Sequence, residues 1–104
     1  MVNDIRETVR VLKALSEETR LGLVMLLADQ GQEGALCVGA LAHRLGITQS
    51  AVSQHLGVLR AAGLVIDERR GYYVHYRVNR ARLAGYLDRV RAIIGKEPSQ
   101  ALAE

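Results

Sequence analysis

Apolar residues recur at helical spacing through most of the chain and switch to strict alternation only near residues 72–78. Ile5, Val9 and Leu12 form the first stripe, on a helix that Asn3 or Asp4 can cap and that runs to about Ala14. Arg6, Glu7, Arg10 and Lys13 fall outside the stripe. Leu15-Ser16 is a break, and Ser16 is placed to cap a second helix whose Glu17 and Glu18 complement the positive end of its dipole. From Leu21 to Ala28 that helix is apolar nearly all round, which predicts a buried central helix. Residues 29–34 are polar and contain glycine, as a loop does. Val38, Leu41, Ala42 and Leu45 then give the inward face of a short helix, and Gly46-Ile47 makes a tight turn into Thr48.

Residues 48–63 carry the most specific pattern. Thr48 is a good N-cap, and Gly63 stands where a helix stops easily. Between them Val52, Leu56 and Leu59 make one apolar stripe. The opposite face holds Ser50, Ser53, Gln54 and Gly57, with Gln49 at its edge. A merely solvated face usually carries Lys and Glu. Short hydroxyl and amide groups suit close approach to phosphates and base edges. Two helices joined by a short glycine-containing turn describe a helix-turn-helix, with residues 48–63 as its recognition helix in the major groove.

Residues 64–70 read as a strand, Gly71 as the turn, and residues 72–78 as a second strand. A hairpin directly after a recognition helix, with Arg69 and Arg70 at its tip, is a wing that reaches the DNA backbone or minor groove. Asn79 caps a last helix running to about Gly95, with a stripe of Leu83, Tyr86, Leu87, Val90, Ile93 and Ile94. The expected fold is mainly α with a β-hairpin wing, in the order helix, helix, helix, helix, strand, strand, helix. Residues 1–96 form the winged helix-turn-helix and dimerisation domain, and 97–104 a frayed tail.

The chain has 104 residues, enough for one domain. With neither Trp nor Phe, its core must be aliphatic. No apolar run approaches the ~20 residues of a membrane span, and the first residues do not resemble a signal peptide. The single cysteine, Cys37, has no intramolecular disulfide partner, so a reducing cytoplasm is the expected location. The net charge of +3 is unevenly spread: residues 1–36 carry −2, residues 37–80 carry +4, and residues 81–104 carry +1. The surplus lies on the segment with the helix-turn-helix and wing, as a nucleic-acid footprint requires.

Three segments together resemble one family. They are Ala14-Leu15-Ser16-Glu17-Glu18-Thr19-Arg20-Leu21, the run from Ala51 to Val65, and Arg69-Arg70-Gly71-Tyr72-Tyr73-Val74-His75-Tyr76. Over roughly residues 5–95 the chain resembles the ArsR family of bacterial winged-helix repressors. The resemblance implies a homodimer built on the first and last helices and release from operator DNA by an inducer, often a metal ion. Metal-binding members place two cysteines one residue apart before the recognition helix. Here Cys37 matches the first, but Gly39 stands at the second position. His43, His55 and His75 fall on three elements without ligand spacing, so no metal site or other cofactor is expected. Cys37 reads as a small buried hydrophobe, with a thiol sensor as the alternative. The inducer is not legible.

The expected function is therefore sequence-specific repression on double-stranded DNA. Thr48, Gln49, Ser50, Ser53, Gln54, His55, Arg69 and Arg70 are the DNA-binding candidates. Ile5, Val9, Leu12, Leu83, Leu87, Val90 and Ile94 are the candidates for the dimer interface. The alternative is a winged-helix module for protein–protein interaction, which would need an apolar recognition face. No base-and-orienter arrangement supports an enzyme.

Overall fold

The computed structural model describes residues 2–31 and 34–95. The proposed tail 97–104, and the side chains of Asn3 and Ile94, lie outside the described residues. The elements run α1 (Val2–Leu15), α2 (Glu18–Ala28), β1 (Leu36–Cys37), α3 (Val38–Leu45), α4 (Gln49–Ala61), β2 (Val65–Arg70), β3 (Tyr73–Val78) and α5 (Arg80–Gly95). The expected order holds, with one addition. The two-residue β1 pairs antiparallel with β3, aligning Leu36 with Tyr76 and Cys37 with His75, so the sheet order is β1-β3-β2. Two residues are too few to show a period, which is why the sequence pattern does not reveal β1.

The core is a single cluster, aliphatic except for Tyr86 of α5, which is buried in it although the sequence pattern places aromatic residues outside an aliphatic core. Leu23, Leu27, Leu41, Val52, Leu56, Leu59 and Leu64 are fully buried, and Val65 and Val78 close it from the sheet. Helix α1 has two apolar faces. The smaller one, Val11 and Ala14, is buried, whereas the larger stripe of Ile5, Val9 and Leu12 stays exposed. Helix α2 is buried along one side by Leu23, Val24 and Leu27. It is not enclosed all round as expected: Leu21 faces solvent and Met25 is 61% exposed. The cap of α2 also differs from expectation. Glu17 is the N-cap, its carboxylate accepting from the Arg20 amide at 3.0 Å. The Ser16 hydroxyl instead donates backwards to the Lys13 carbonyl at 2.8 Å, closing α1. Helix α1 begins at Val2 and so places Asp4 inside its first turn rather than at the cap.

Helices α3 and α4 end in the same way. Gly46 (φ 67°) and Gly63 (φ 76°) take the left-handed position just past each helix. Ile47 N–H then bonds Ala42 C=O at 3.1 Å, and Leu64 N–H bonds Leu59 C=O at 2.9 Å. Gly46 and Gly63 donate to His43 and Arg60 carbonyls respectively. These are Schellman stops, which satisfy carbonyls that the helix leaves free. At the start of α4, Thr48 Oγ1 accepts from Ala51 N–H at 3.1 Å, as the sequence predicts.

In the hairpin Arg70 pairs with Tyr73, so the turn is the two residues Gly71 and Tyr72. Tyr72 therefore belongs to the turn rather than to the second strand, in keeping with the short loops that hairpins favour. Asn79 Oδ1 accepts from Arg82 N–H at 3.2 Å and caps α5. Arg80 ties the start of α5 to the end of α2, donating to Ala28 C=O at 2.8 Å and Gly31 C=O at 2.9 Å. A cation at a helix C-terminus also complements the dipole.

A Cβ at Gly63 would stand 2.5 Å from Arg82 Nε and in a backbone region costing an L-residue about 1–2 kcal/mol. Gly63→Ala should lower unfolding free energy by at least that amount in urea titration. At Gly57, inside α4, a Cβ meets nothing within 4 Å. Gly57→Ala should therefore raise stability by roughly 0.5–1 kcal/mol.

Candidate nucleic-acid interface

The Thr48 cap and the Gly46 stop set the direction in which α4 leaves α3, and the buried Val52, Leu56 and Leu59 set its roll. Ser50, Ser53 and Gln54 are consequently exposed on the outer face. Among the described residues their side chains make no hydrogen bond within the chain. Gln49 is exposed but leans on α3, its Nε2 lying 3.6 Å from where a Cβ of Gly39 would be. The Thr48 hydroxyl spends one lone pair on its cap and keeps its proton to donate.

His55 is placed differently from its neighbours. Its side chain is only 26% exposed, and Nδ1 lies 3.6 Å from Glu17 Oε2 and 3.4 Å from Arg20 Nη1. Arg20 in turn donates from Nε to Ala14 C=O at 2.7 Å and from Nη2 to Lys13 C=O at 3.3 Å. One guanidinium thus joins the end of α1 to the middle of α4. Its planar fork suits this, because several donors are held in fixed directions. The sequence shows no local sign of this link, since its partners are separated by up to 35 positions.

Strand alternation sends the two wing arginines to opposite faces. Arg69 lies on the side of Asp67, whose Oδ1 is 3.4 Å from Arg60 Nε at the end of α4. Arg69 is exposed and has no ion pair among the described residues. Arg70 lies on the far face and is drawn back to Glu68 at 2.8 Å, a carboxylate that Arg77 also approaches at 3.7 Å. Among the described residues the wing tip therefore presents one unpaired guanidinium, on the face that Asp67 turns toward Arg60 of α4. It also presents Tyr72, which the sequence pattern assigned to a strand.

Cys37 is half-buried at the start of α3, makes no side-chain cap bond and sits opposite His75 in the β1–β3 pair. This neighbour was not expected from the sequence, where the histidines show no ligand spacing. His75 Nδ1 is buried and unpartnered. Among the described residues no group of three or more His, Cys, Asp or Glu side chains is placed to hold a metal. One thiolate and one imidazole do not fit a closed tetrahedral site. No described helix is long and apolar enough to cross a membrane.

Of the apolar candidates at the chain ends, Ile5, Val9, Leu12 and Leu87 are exposed, as is Ile93 at 74%. Val90 is half-buried, and Leu83 packs against the core. Tyr86 anchors α5 on α1: its hydroxyl donates to Glu7 Oε2 at 3.3 Å, and Arg82 and Arg89 flank its ring at 5.9 and 5.2 Å.

A family model described as bacterial regulatory protein, arsR family, matches residues 17–67. The arsenical resistance operon repressor of Escherichia coli K12 is 42% identical over 71 residues. That match takes in 68% of this chain but only 58% of the relative's length. Among solved structures, an ArsR-like transcriptional regulator from Rhodococcus sp. RHA1 superposes with a TM-score of 0.80 at 32% identity, covering 99% of this chain and 90% of that one. A homodimeric winged helix-turn-helix DNA-binding domain from Mycobacterium bovis gives a TM-score of 0.70 at 29% identity, covering 88% and 82%.

Backbone N–H groups of Arg20 and Thr19 bond the Glu17 carboxylate and hold its pKa below the ordinary glutamate value, with a smaller contribution from His55. A lowered folded-state pKa contributes stability above the unfolded pKa and loses it as pH falls through the folded one. Glu17→Gln keeps an acceptor at the cap but removes the charge. Wild type should be the more stable at pH 7, and its advantage should vanish on acidification below 4.5 in thermal melts.

Proposed function

Because the chain belongs to the arsR family of bacterial regulatory proteins, we propose that it is a homodimeric repressor binding a specific double-stranded DNA operator. One observation carries this reading: Ser50, Ser53 and Gln54 share an exposed polar face of α4 that, like Arg69 of the following wing, has no partner among the described residues. Such side chains have their hydrogen-bonding capacity available for base edges, and Gln54 can address an adenine through its amide. Thr48 and Ser50 suit phosphates at the helix start. Gln49 stands at the edge of this face. His55 serves the interface by holding α4 to Glu17 and Arg20. A protein–protein module would need an apolar face where these residues stand.

A single recognition helix reads only a half-site. Two copies related by a two-fold axis place their helices about one DNA turn, ~34 Å, apart. The exposed Ile5, Val9 and Leu12 of α1 and Leu87 and Ile93 of α5 supply apolar area for that contact. Between them runs a groove of about 390 Å³ lined by Ile5, Val9, Leu12 and Ile93. The homodimeric neighbour from M. bovis supports the same assembly. Val90, half-buried, and Leu83, packed on the core, have less area to offer that contact.

The test is fluorescence anisotropy on duplex DNA from upstream of the coding sequence, over a range of salt. Gln54→Ala should cost ~1–3 kcal/mol on the operator and little on random duplex. Arg69→Ala should weaken both and reduce the salt slope by about 0.9, whereas Arg70→Ala should change it less. Equal losses on both duplexes for Gln54→Ala would remove it from base readout.

Leu12→Glu tests the assembly, because it places a charge where apolar area should be covered. Sedimentation should show a dimer for wild type and a monomer for the variant, with operator affinity lost although α4 is unchanged. A wild-type monomer with full operator affinity would refute the dimer.

A further inference from the structure

We propose that Tyr72 is a DNA-contacting residue whose ring enters the minor groove next to the half-site read by α4. This rests on the DNA-binding reading above and adds to it a residue and a mode of contact. Tyr72 is the second residue of the hairpin turn, beyond the last strand pair, Arg70 with Tyr73. It is 96% exposed, so almost no part of its ring is used by the fold. The other large apolar side chains of the hairpin are all less exposed, and Tyr73 keeps a third of its surface covered. With Arg70 held by Glu68, the outermost groups of the wing are one free guanidinium, Arg69, and one bare aromatic ring.

Those two groups match the chemistry of a minor groove. Its floor and phosphate rim are negative, which suits an arginine. Its walls are the apolar faces of the sugars, and its base steps open to inserted apolar side chains. Proteins that enter it combine these two side-chain types. The wing is also held in place to deliver them. The buried Val65 and Val78 anchor the base of the hairpin in the core, and the Gly63 stop fixes the exit of the chain from the helix. A ring on this tip keeps a set distance from Ser53 and Gln54. Aromatic contacts with bases tolerate sequence variation, with preference for steps that unstack readily.

The experiment uses the full chain and the upstream duplex. Tyr72→Ala should bind about tenfold more weakly, with an unchanged salt slope because no charge is lost. Arg69→Ala has the opposite signature. Tyr72→Phe should stay within about twofold of wild type if stacking, which the ring alone supplies, carries the contact. The chain contains no Trp, so Tyr72→Trp creates a single Trp that can be excited apart from the three remaining Tyr. Its emission should be quenched by the operator duplex and not by heparin, a polyanion without bases. Wild-type affinity in Tyr72→Ala, or an unquenched Trp in the bound complex, overturns the proposal. So does Tyr72→Phe binding as weakly as Tyr72→Ala, which would place the hydroxyl on a phosphate instead. Wild type failing to bind any duplex overturns the DNA-binding reading itself, and the Tyr72 assignment with it.

Discussion

Leu64 is the point on which the parts of this fold depend. Its amide closes the α4 stop through Leu59, and its carbonyl accepts from Asn79 N–H at 2.9 Å. Its side chain is fully buried in the common core. One residue therefore fixes the end of the recognition helix, the base of the hairpin and the entry to α5. The left-handed Gly63 makes this possible, since the chain must reverse at once to bring Leu64 back under Leu59. Because both backbone groups of Leu64 are satisfied locally, it can be buried without the cost of unpaired polar atoms.

A second, polar link holds the same helix from the other side. Arg20 and Glu17 meet at His55, and Arg20 also takes up two carbonyls at the end of α1. The recognition helix is thus connected to the helix proposed to meet the second copy. Several charged and neutral groups share this contact, so their contributions will not add independently. Its geometry, rather than its Coulomb energy, matters most: Glu17 is partly exposed, and solvent-screened ion pairs contribute little.

The legible parts of the fold were those whose cause is local. Thr48 and Asn79 were identifiable as caps, Gly63 as a stop and Gly46 as part of a tight turn, because each acts within a few residues of itself. The alternation around Val74, Tyr76 and Val78 announced the hairpin. Failures came where the deciding partner is distant. The choice between Ser16 and Glu17 as cap depended on which could reach the Arg20 amide once α1 had ended. The burial of Val11, which the apolar stripe of α1 omits, depended on where α2 and α4 lie. The strand β1 exists because β3 offers it an edge. The polar face of α4 could be read in full, whereas the unequal standing of Arg69 and Arg70 needed the register of the hairpin.

The pairing of β1 has a consequence for the behaviour of the protein at high concentration. Leu36 and Cys37 occupy part of one side of β3, and β2 occupies the other. The long open edge of the sheet is therefore that of β2, which reads Val-Ile-Asp-Glu-Arg-Arg. Four consecutive charges of mixed sign lie along the line where another strand would have to dock. Sheet extension into fibres requires an edge that is long, flat and apolar. Beyond Ile66 this edge is charged rather than apolar, so the wing can project into solvent with its backbone groups exposed and still resist strand-by-strand association.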